Sequence, residues 1–303
     1  MKSGLGLHKI FNYISRKLSL IIFNQRLPLS YIIFNKLYKK FIVSNKIEDD
    51  DILKFHNSGF VKLNIDLKSE VEEYKDKFFI KEKDKEDTSE RVKFSLNDQD
   101  KKNFVIKVKK KLYPLIYKLE NYFNCDVFIS DIFPFRIYHV EDENNLEKEA
   151  YANHFHQDGY LMIYNKVFIN LMDINDEDGP LQIIPIENKD SFFKSFKYKD
   201  RNNYNVFGDQ NLIYKNIGKI GECCLFSSPQ VFHRAGVPKT HRDLIQIILV
   251  TIPKKYSEGV YIKDEIELFK GNEKNIMKIS KPYNLINIIK LLLVFFQRKS
   301  NKN

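Results

Sequence analysis

The sequence predicts a β-rich α+β protein, with short strands forming a sandwich or jelly-roll barrel and helices flanking it. Two observations predict this. From Tyr151 to Ile252, short runs rich in β-branched and aromatic residues alternate with turns. Helical periodicity is concentrated in the segments before that region. With 25 Phe and 17 Tyr in 303 residues there is material for a sizeable core, enough for one large domain with additions.

Residues 5–24 read as an amphipathic helix, with Ile10, Ile14, Leu18 and Ile21 near helical spacing and Lys9, Arg16 and Lys17 elsewhere on its surface. After Pro28 a second helical run sets Ile33, Leu37 and Phe41 against Lys36, Lys39 and Lys40. Composition turns acidic near Glu48, and DDDILKFHNSGFVKLN reads as a short helix, a turn at Gly59 and a strand. Residues 67–95 are dominated by Lys, Glu and Asp and read as a solvated helix and loop. Phe104, Val108, Leu112, Leu115 and Leu119 make the apolar stripe of a helix over 98–124. CDVFISDIFPFRIYHV has strand composition, and EDENNLEKEA is an acidic loop. LMIYNKVFINLMDI reads as two short strands with a turn near Asn165-Lys166. NDEDGP is a turn in which Gly179 is free to take positive φ. LQIIPI, GECCLFSS, VFHRAGV and DLIQIILVTI supply four more strands. Residues 187–216 lack a clear period, as an active-site lid or binding loop often does. NLINIIKLLLVFFQRKSNKN is apolar and then basic, and too short to span a bilayer, which takes about 20 apolar residues.

The net charge of +10 sits at the ends. Residues 1–47 hold nine Lys/Arg and residues 284–303 hold four, with no acid in either, so the stretch between them is near neutral. With the strand run ending near Ile252, the chain divides into a basic amphipathic helical extension (1–47), a central body (48–256) and a C-terminal extension with a basic apolar helix (257–303). Polar residues interrupt the N-terminal run, so it does not read as a signal peptide. The ends are expected either to lie on an anionic membrane surface or to pack on the body with their lysines in water. The near-neutral body, without a recognised binding motif, argues against nucleic acid. Three cysteines with no CxxC pair point to a reducing, cytoplasmic compartment, with the inner membrane face as the place of any peripheral contact.

A histidine followed two residues later by a carboxylate occurs three times: His139 with Glu141, His156 with Asp158, and His241 with Asp243. His241 has no histidine after it, and His139 runs into the acidic loop. His156 lies between strand-like segments, and 77 residues later His233 sits in another strand. Two His and one carboxylate with open positions are the ligand set of non-haem Fe(II) oxygenases. Arg242 follows His233 by nine residues. A short turn around Pro238 would place the two on neighbouring antiparallel strands. A guanidinium forks two hydrogen bonds onto a carboxylate, which suits the far end of a dicarboxylic co-substrate.

On these residues, from about 52 to 252, the chain resembles the phytanoyl-CoA dioxygenase family of Fe(II)/2-oxoglutarate oxygenases. DILKFHNSGFVKLN resembles the family's first helix and strand, HQD its metal motif, VFINLMDINDEDGPLQIIPIENK its strand, Gly-Pro turn and strand, and GECCLFSSPQVFHRAGVPKTHRDLI its closing segment. The resemblance implies a double-stranded β-helix (jelly-roll, cupin-like) core. It implies Fe(II) held by His156, Asp158 and His233, and 2-oxoglutarate held by Arg242, with Tyr138 and Gln157 beside the co-substrate. The expected activity is hydroxylation of a small-molecule or lipid-linked substrate using dioxygen, releasing succinate and carbon dioxide. A carboxylate at 158, where related halogenases have a small residue, points to oxidation rather than halogenation. After Pro185 the family usually shows Gly-Ser-His, whereas this chain has Ile186-Glu187-Asn188, so the substrate does not carry over. The rival expectations are a non-catalytic jelly-roll protein binding a metal or small ligand, and a hydrolase with another metal on the same ligands.

Overall fold

The computed structural model describes residues 13–15, 17–18, 29–41, 43, 47–80, 91–139, 152–158, 163–194 and 209–252. The expected acidic loop at 141–149, the centre of the expected lid and the C-terminal helix lie outside these residues, as does most of the helix expected over 5–24.

Helix α1 spans Leu29–Phe41. Helix α2 (Asp50–Ser58) begins where the Asp49 side chain accepts from Ile52 N at 3.1 Å, and ends at Gly59, whose φ of 74° is open to glycine without a Cβ penalty. The chain turns there into β1 (Phe60–Leu63), as the sequence predicts. Helix α3 (Lys68–Tyr74), the short β2 (Phe79–Ile80) and β3 (Arg91–Ser95) follow. Helix α4 (Asp98–Phe123) is capped by Asn97 and buries all five predicted stripe residues, together with Tyr122 and Phe123. The remaining elements are β4 (Asp126–Tyr138), β5 (Tyr164–Asn170), β6 (Leu181–Ile184), α5 (Lys189–Lys194), β7 (Tyr214–Lys215), β8 (Cys223–Phe226), β9 (Phe232–Ala235) and β10 (His241–Ile252).

The strands form a seven-stranded antiparallel sheet, ordered β1-β8-β5-β10-β4-β3-β2, and a three-stranded sheet, ordered β7-β6-β9. His156 pairs with His233, which adds the 152–158 segment beside β9. Counted from β4, with that segment second, one sheet reads sixth-third-eighth-first and the other fifth-fourth-seventh-second. That alternation between two sheets is the double-stranded β-helix, a jelly roll.

Three apolar clusters hold it. The largest joins the helices to the outer face of the seven-stranded sheet through residues such as Val167, Ile169, Leu225, Ile245 and Ile247. A second lies between the sheets and includes Phe135, Phe168, Ile183, Phe226 and Leu244. A third covers the far side of the small sheet, where Phe155, Ile184, Phe192 and Phe232 meet. Strand β8 is buried on both faces, so Cys223 joins the first cluster and Cys224 the second. The vicinal thiols therefore point opposite ways. All three cysteines are free and buried, and burial pushes the Cys223 thiol up to about 12.

Three expectations change. Helix α1 leaves Ile33, the first residue of the expected apolar face, 46% exposed, while Leu37 packs partly buried against the core. Ile32, Phe34 and Tyr38 are buried instead. Phe34 and Tyr38, one turn apart, stack at 5.6 Å, and Tyr38 packs near Phe123 and meets the Thr251 hydroxyl at 3.2 Å. Phe34 and Tyr38 carry two large aromatic side chains into the core, more apolar area than Ile33 would bring. The expected turn at Asn165-Lys166 is the interior of β5, which runs unbroken. The charge-rich stretch before α4 contains β2 and β3, which extend the large sheet from the β4 edge.

Candidate metal centre

His156 and His233 exchange both backbone hydrogen bonds, at 3.0 and 2.9 Å, which sets their rings side by side with centroids 4.5 Å apart. Side chains on extended backbone alternate, so Asp158 returns to the face of His156. Its own N–H donates to the Ser228 carbonyl at 3.0 Å. Donor atoms of His156, Asp158 and His233 all lie within 4.8 Å of one another, the one such group of ligand side chains among the described residues. Asp158 Oδ1 is 3.6 Å from His156 Nε2 and 3.9 Å from His233 Nε2.

The imidazoles are prepared for a cation. His156 Nδ1 sits 2.7 Å from the His154 carbonyl, and His233 Nδ1 sits 3.3 Å from the Val231 carbonyl. A carbonyl can only accept, so each Nδ1 carries the proton and each Nε2 lone pair faces the cluster. Burial, and then the neighbouring His156, pull His233 down to about 3, so it is neutral at physiological pH. For Asp158 burial acts upward, but the Lys166 ammonium outweighs it and holds the carboxyl well below the usual range. A neutral His233, an ionised Asp158 and the Nε2 of His156 beside them are the donor chemistry a divalent metal requires.

Lys166 is the residue that sequence reasoning missed. From the middle of β5 its Nζ reaches Asp158 Oδ2 at 2.5 Å, with both side chains 14% exposed. The signal was available: a lysine inside an otherwise buried strand needs an anionic partner.

Arg242 is 2% exposed. It pairs with Ile137 across β10 and β4 and shares its face with Leu244, so it turns into the space between the sheets. Its guanidinium donates to the Gly179 carbonyl. The expected pairing of the strands carrying His233 and Arg242 does not occur. Strand β9 belongs to the small sheet and β10 to the large one, and the corner at 236–240 carries the chain across. That corner is tight: Gly179 at φ 61° packs directly against Gly236, whose N–H donates to the Pro180 carbonyl at 3.0 Å.

Two expected co-substrate residues lie elsewhere. Tyr138 pairs with His241, on the opposite face of the sheet from Ile137 and Arg242, beside Arg136. Gln157 alternates away from His156 and Asp158 on either side of it. Its amide nitrogen donates to the Gln230 and Pro229 carbonyls at 2.9 and 3.3 Å, fastening the segment that leads into β9. Of the competing histidine–carboxylate pairs, Asp243 is held by Arg136 through two 2.7 Å hydrogen bonds, and His139 meets the Pro238 carbonyl at 2.8 Å. Arg234 stacks on Phe155 and donates to Gln182 on the far face of the small sheet, away from the cluster.

No family model and no curated protein matches the sequence. Several solved structures are similar in shape. HygX from Streptomyces hygroscopicus, with nickel and 2-oxoglutarate bound, has a TM-score of 0.46 at 12% identity, covering 68% of this chain and 88% of its own. EctD from S. alaskensis, with bound Fe, has a TM-score of 0.43 at 12% identity, covering 69% and 81%. SnoN, a non-heme alpha ketoglutarate dependent epimerase from nogalamycin biosynthesis, has a TM-score of 0.44 at 12% identity, covering 66% and 82%.

Proposed function

We propose that the chain is an Fe(II)- and 2-oxoglutarate-dependent dioxygenase of the phytanoyl-CoA dioxygenase-like family, hydroxylating a small-molecule or lipid-like substrate. The observation that carries this reading is the donor set of His156, Asp158 and His233, gathered within 4.8 Å. Ferrous iron held there would supply dioxygen activation, coupling the conversion of 2-oxoglutarate to succinate and carbon dioxide with transfer of one oxygen atom to a substrate C–H bond.

The chain's own residues do the rest. The His154 and Val231 carbonyls keep the imidazole protons on Nδ1, so both Nε2 atoms are ready to coordinate. The mutual backbone bonds of His156 and His233 place the ligands before any metal arrives. Arg242, steadied by the Gly179 carbonyl, offers the positive charge for the distal carboxylate of 2-oxoglutarate. Phe168, Phe226 and Leu244 keep the space between the sheets apolar, which strengthens each of these electrostatic contacts. A hydrolytic metal on the same ligands would give the Arg242 charge no role.

The test is uncoupled turnover: Fe(II), 2-oxoglutarate and dioxygen should yield succinate, and His156→Ala or Asp158→Ala should yield none. Metal binding without succinate would favour the non-catalytic binding protein, and turnover surviving the ligand substitutions would refute the assignment.

We propose further that the substrate is met at an anionic membrane surface on the cytoplasmic side. No helix among the described residues is long and apolar enough to cross a membrane. Tyr13, Ile14, Leu18 and Ile33 are nonetheless exposed, as are Lys17, Lys36 and Lys40. The Leu29 N–H donates to the Ser15 hydroxyl at 2.7 Å, which ties that run to α1. Exposed apolar side chains among lysines suit an interface of acidic headgroups.

A further inference from the structure

Lys166 stands apart from the other residues at the centre. It comes from β5 in the large sheet, whereas His156, Asp158 and His233 all lie on the small-sheet side. Its neighbours across the sheet are Phe226 and Ile248, and its ammonium lies 6.0 Å from the Phe226 ring, which itself meets the His233 ring at 5.2 Å. At that distance the ring offers the ammonium no more than a weak cation–π contact. Its partner is Asp158 Oδ2. The carboxylate is therefore shared between two roles. Oδ1 faces the two imidazole nitrogens, and Oδ2 faces the lysine.

We propose that Lys166 is a resident counter-cation of the metal centre, which holds Asp158 in place without metal, weakens the site for a divalent ion, and couples metal binding to the arrival of an anionic ligand. This rests on the reading of His156, Asp158 and His233 as metal ligands.

Charge carries the argument. Without metal, Lys166 and Asp158 sum to zero, the arrangement a buried carboxylate needs. A divalent ion beside Oδ1 brings +2 close to the ammonium across low-dielectric surroundings, and like charges there repel strongly. The occupied centre then stands at +2 from ion, Asp158 and Lys166, where a neutral side chain at 166 would leave +1. A dicarboxylate bringing −2 is drawn more strongly to the first than to the second. Arg242 adds its own charge in either case. Lys166 is thus a positioning residue that acts through Asp158 and through its field.

The experiment measures the Ni(II) dissociation constant of the full chain by calorimetry, with and without 2-oxoglutarate, for the natural protein, Lys166→Met, Lys166→Gln and Lys166→Arg. Lys166→Met should melt at a lower temperature without metal, yet bind Ni(II) alone at least about tenfold tighter. The factor by which 2-oxoglutarate tightens Ni(II) should shrink correspondingly. Lys166→Gln keeps a donor to Oδ2 without the charge and should show the same tightening even if the methionine variant folds poorly. Lys166→Arg keeps the charge and should stay near the natural affinity. A lysine that only props up the structure would lower stability and leave Ni(II) affinity unchanged or weaker, and that result overturns the proposal. If the natural protein bound no Ni(II), or His233→Ala bound it equally well, the metal-site reading itself would fall, and this proposal with it.

Discussion

Gly179→Ala tests whether the corner behind Arg242 is built as described. Gly179 has a φ of 61°, and a Cβ added there would fall within 2.6 Å of the Gly236 carbonyl oxygen and closer still to backbone atoms of Val237 and Pro238. Those are main-chain atoms at a crossover, with no flexible side chain to yield. The left-handed conformation costs alanine ~1–2 kcal/mol, and forcing a methyl into packed surroundings costs typically ~1–3 kcal/mol. The sum is roughly 2–5 kcal/mol. At about 2–4 °C per kcal/mol for a domain of this size, the melting temperature should fall by ~4–20 °C. Because the Gly179 carbonyl accepts from Arg242, the displaced backbone should also weaken 2-oxoglutarate binding more than the general loss of stability explains. Differential scanning fluorimetry and a 2-oxoglutarate titration at a temperature where the variant is fully folded read the two effects separately. A melting temperature within a degree of the natural protein would refute the close packing of Gly179 on Gly236. A large drop with unchanged co-substrate affinity would sever Gly179 from Arg242.

Two further outcomes are expected. His233 is pulled down to about 3 from an unfolded value near 6.5, so the unfolded chain binds a proton that the native, metal-free protein refuses. Stability therefore falls as pH drops from ~6.5 toward ~3, by about 2 kcal/mol between 6.5 and 5 from this group. Urea midpoints at both pH values should differ less in His233→Gln, and an equal difference would mean that His233 is solvated. Liposomes rich in anionic lipid should sediment the full chain, less so after Lys17, Lys36 and Lys40 are changed to Glu, and binding indifferent to those charges would discard the membrane surface.

Much of the architecture could be read from the chain because its cause is local. The Gly59 turn, the α4 stripe and the strand runs after Tyr164 depend on neighbours in sequence. The grouping of His156, Asp158 and His233 could be read because extended backbone alternates, because no histidine follows His241, and because His139 runs into an acidic loop. What could not be read depends on partners distant in sequence. β5 looked broken because Lys166 is polar, and only Asp158 across the barrel explains a buried lysine there. The β2–β3 pair hid in a charge-rich stretch because its continuation is β4, more than thirty residues on. An offset of nine residues from His233 to Arg242 fits a hairpin as well as a corner, and only the packing of Gly179 on Gly236 decides for the corner. Tyr138 shares a strand with the interior-facing Ile137, and register alone sends it to the other face.

The central claim is that His156, Asp158 and His233 hold iron and that Arg242 holds 2-oxoglutarate beside it. The most direct measurement is the visible spectrum of the anaerobic protein with Fe(II), before and after 2-oxoglutarate is added. A metal-to-ligand charge-transfer band should appear on addition, and should be lost in Arg242→Ala at the same co-substrate concentration. Bound iron with no such band would contradict the account, leaving a metal site whose chemistry is not that of a 2-oxoglutarate oxygenase.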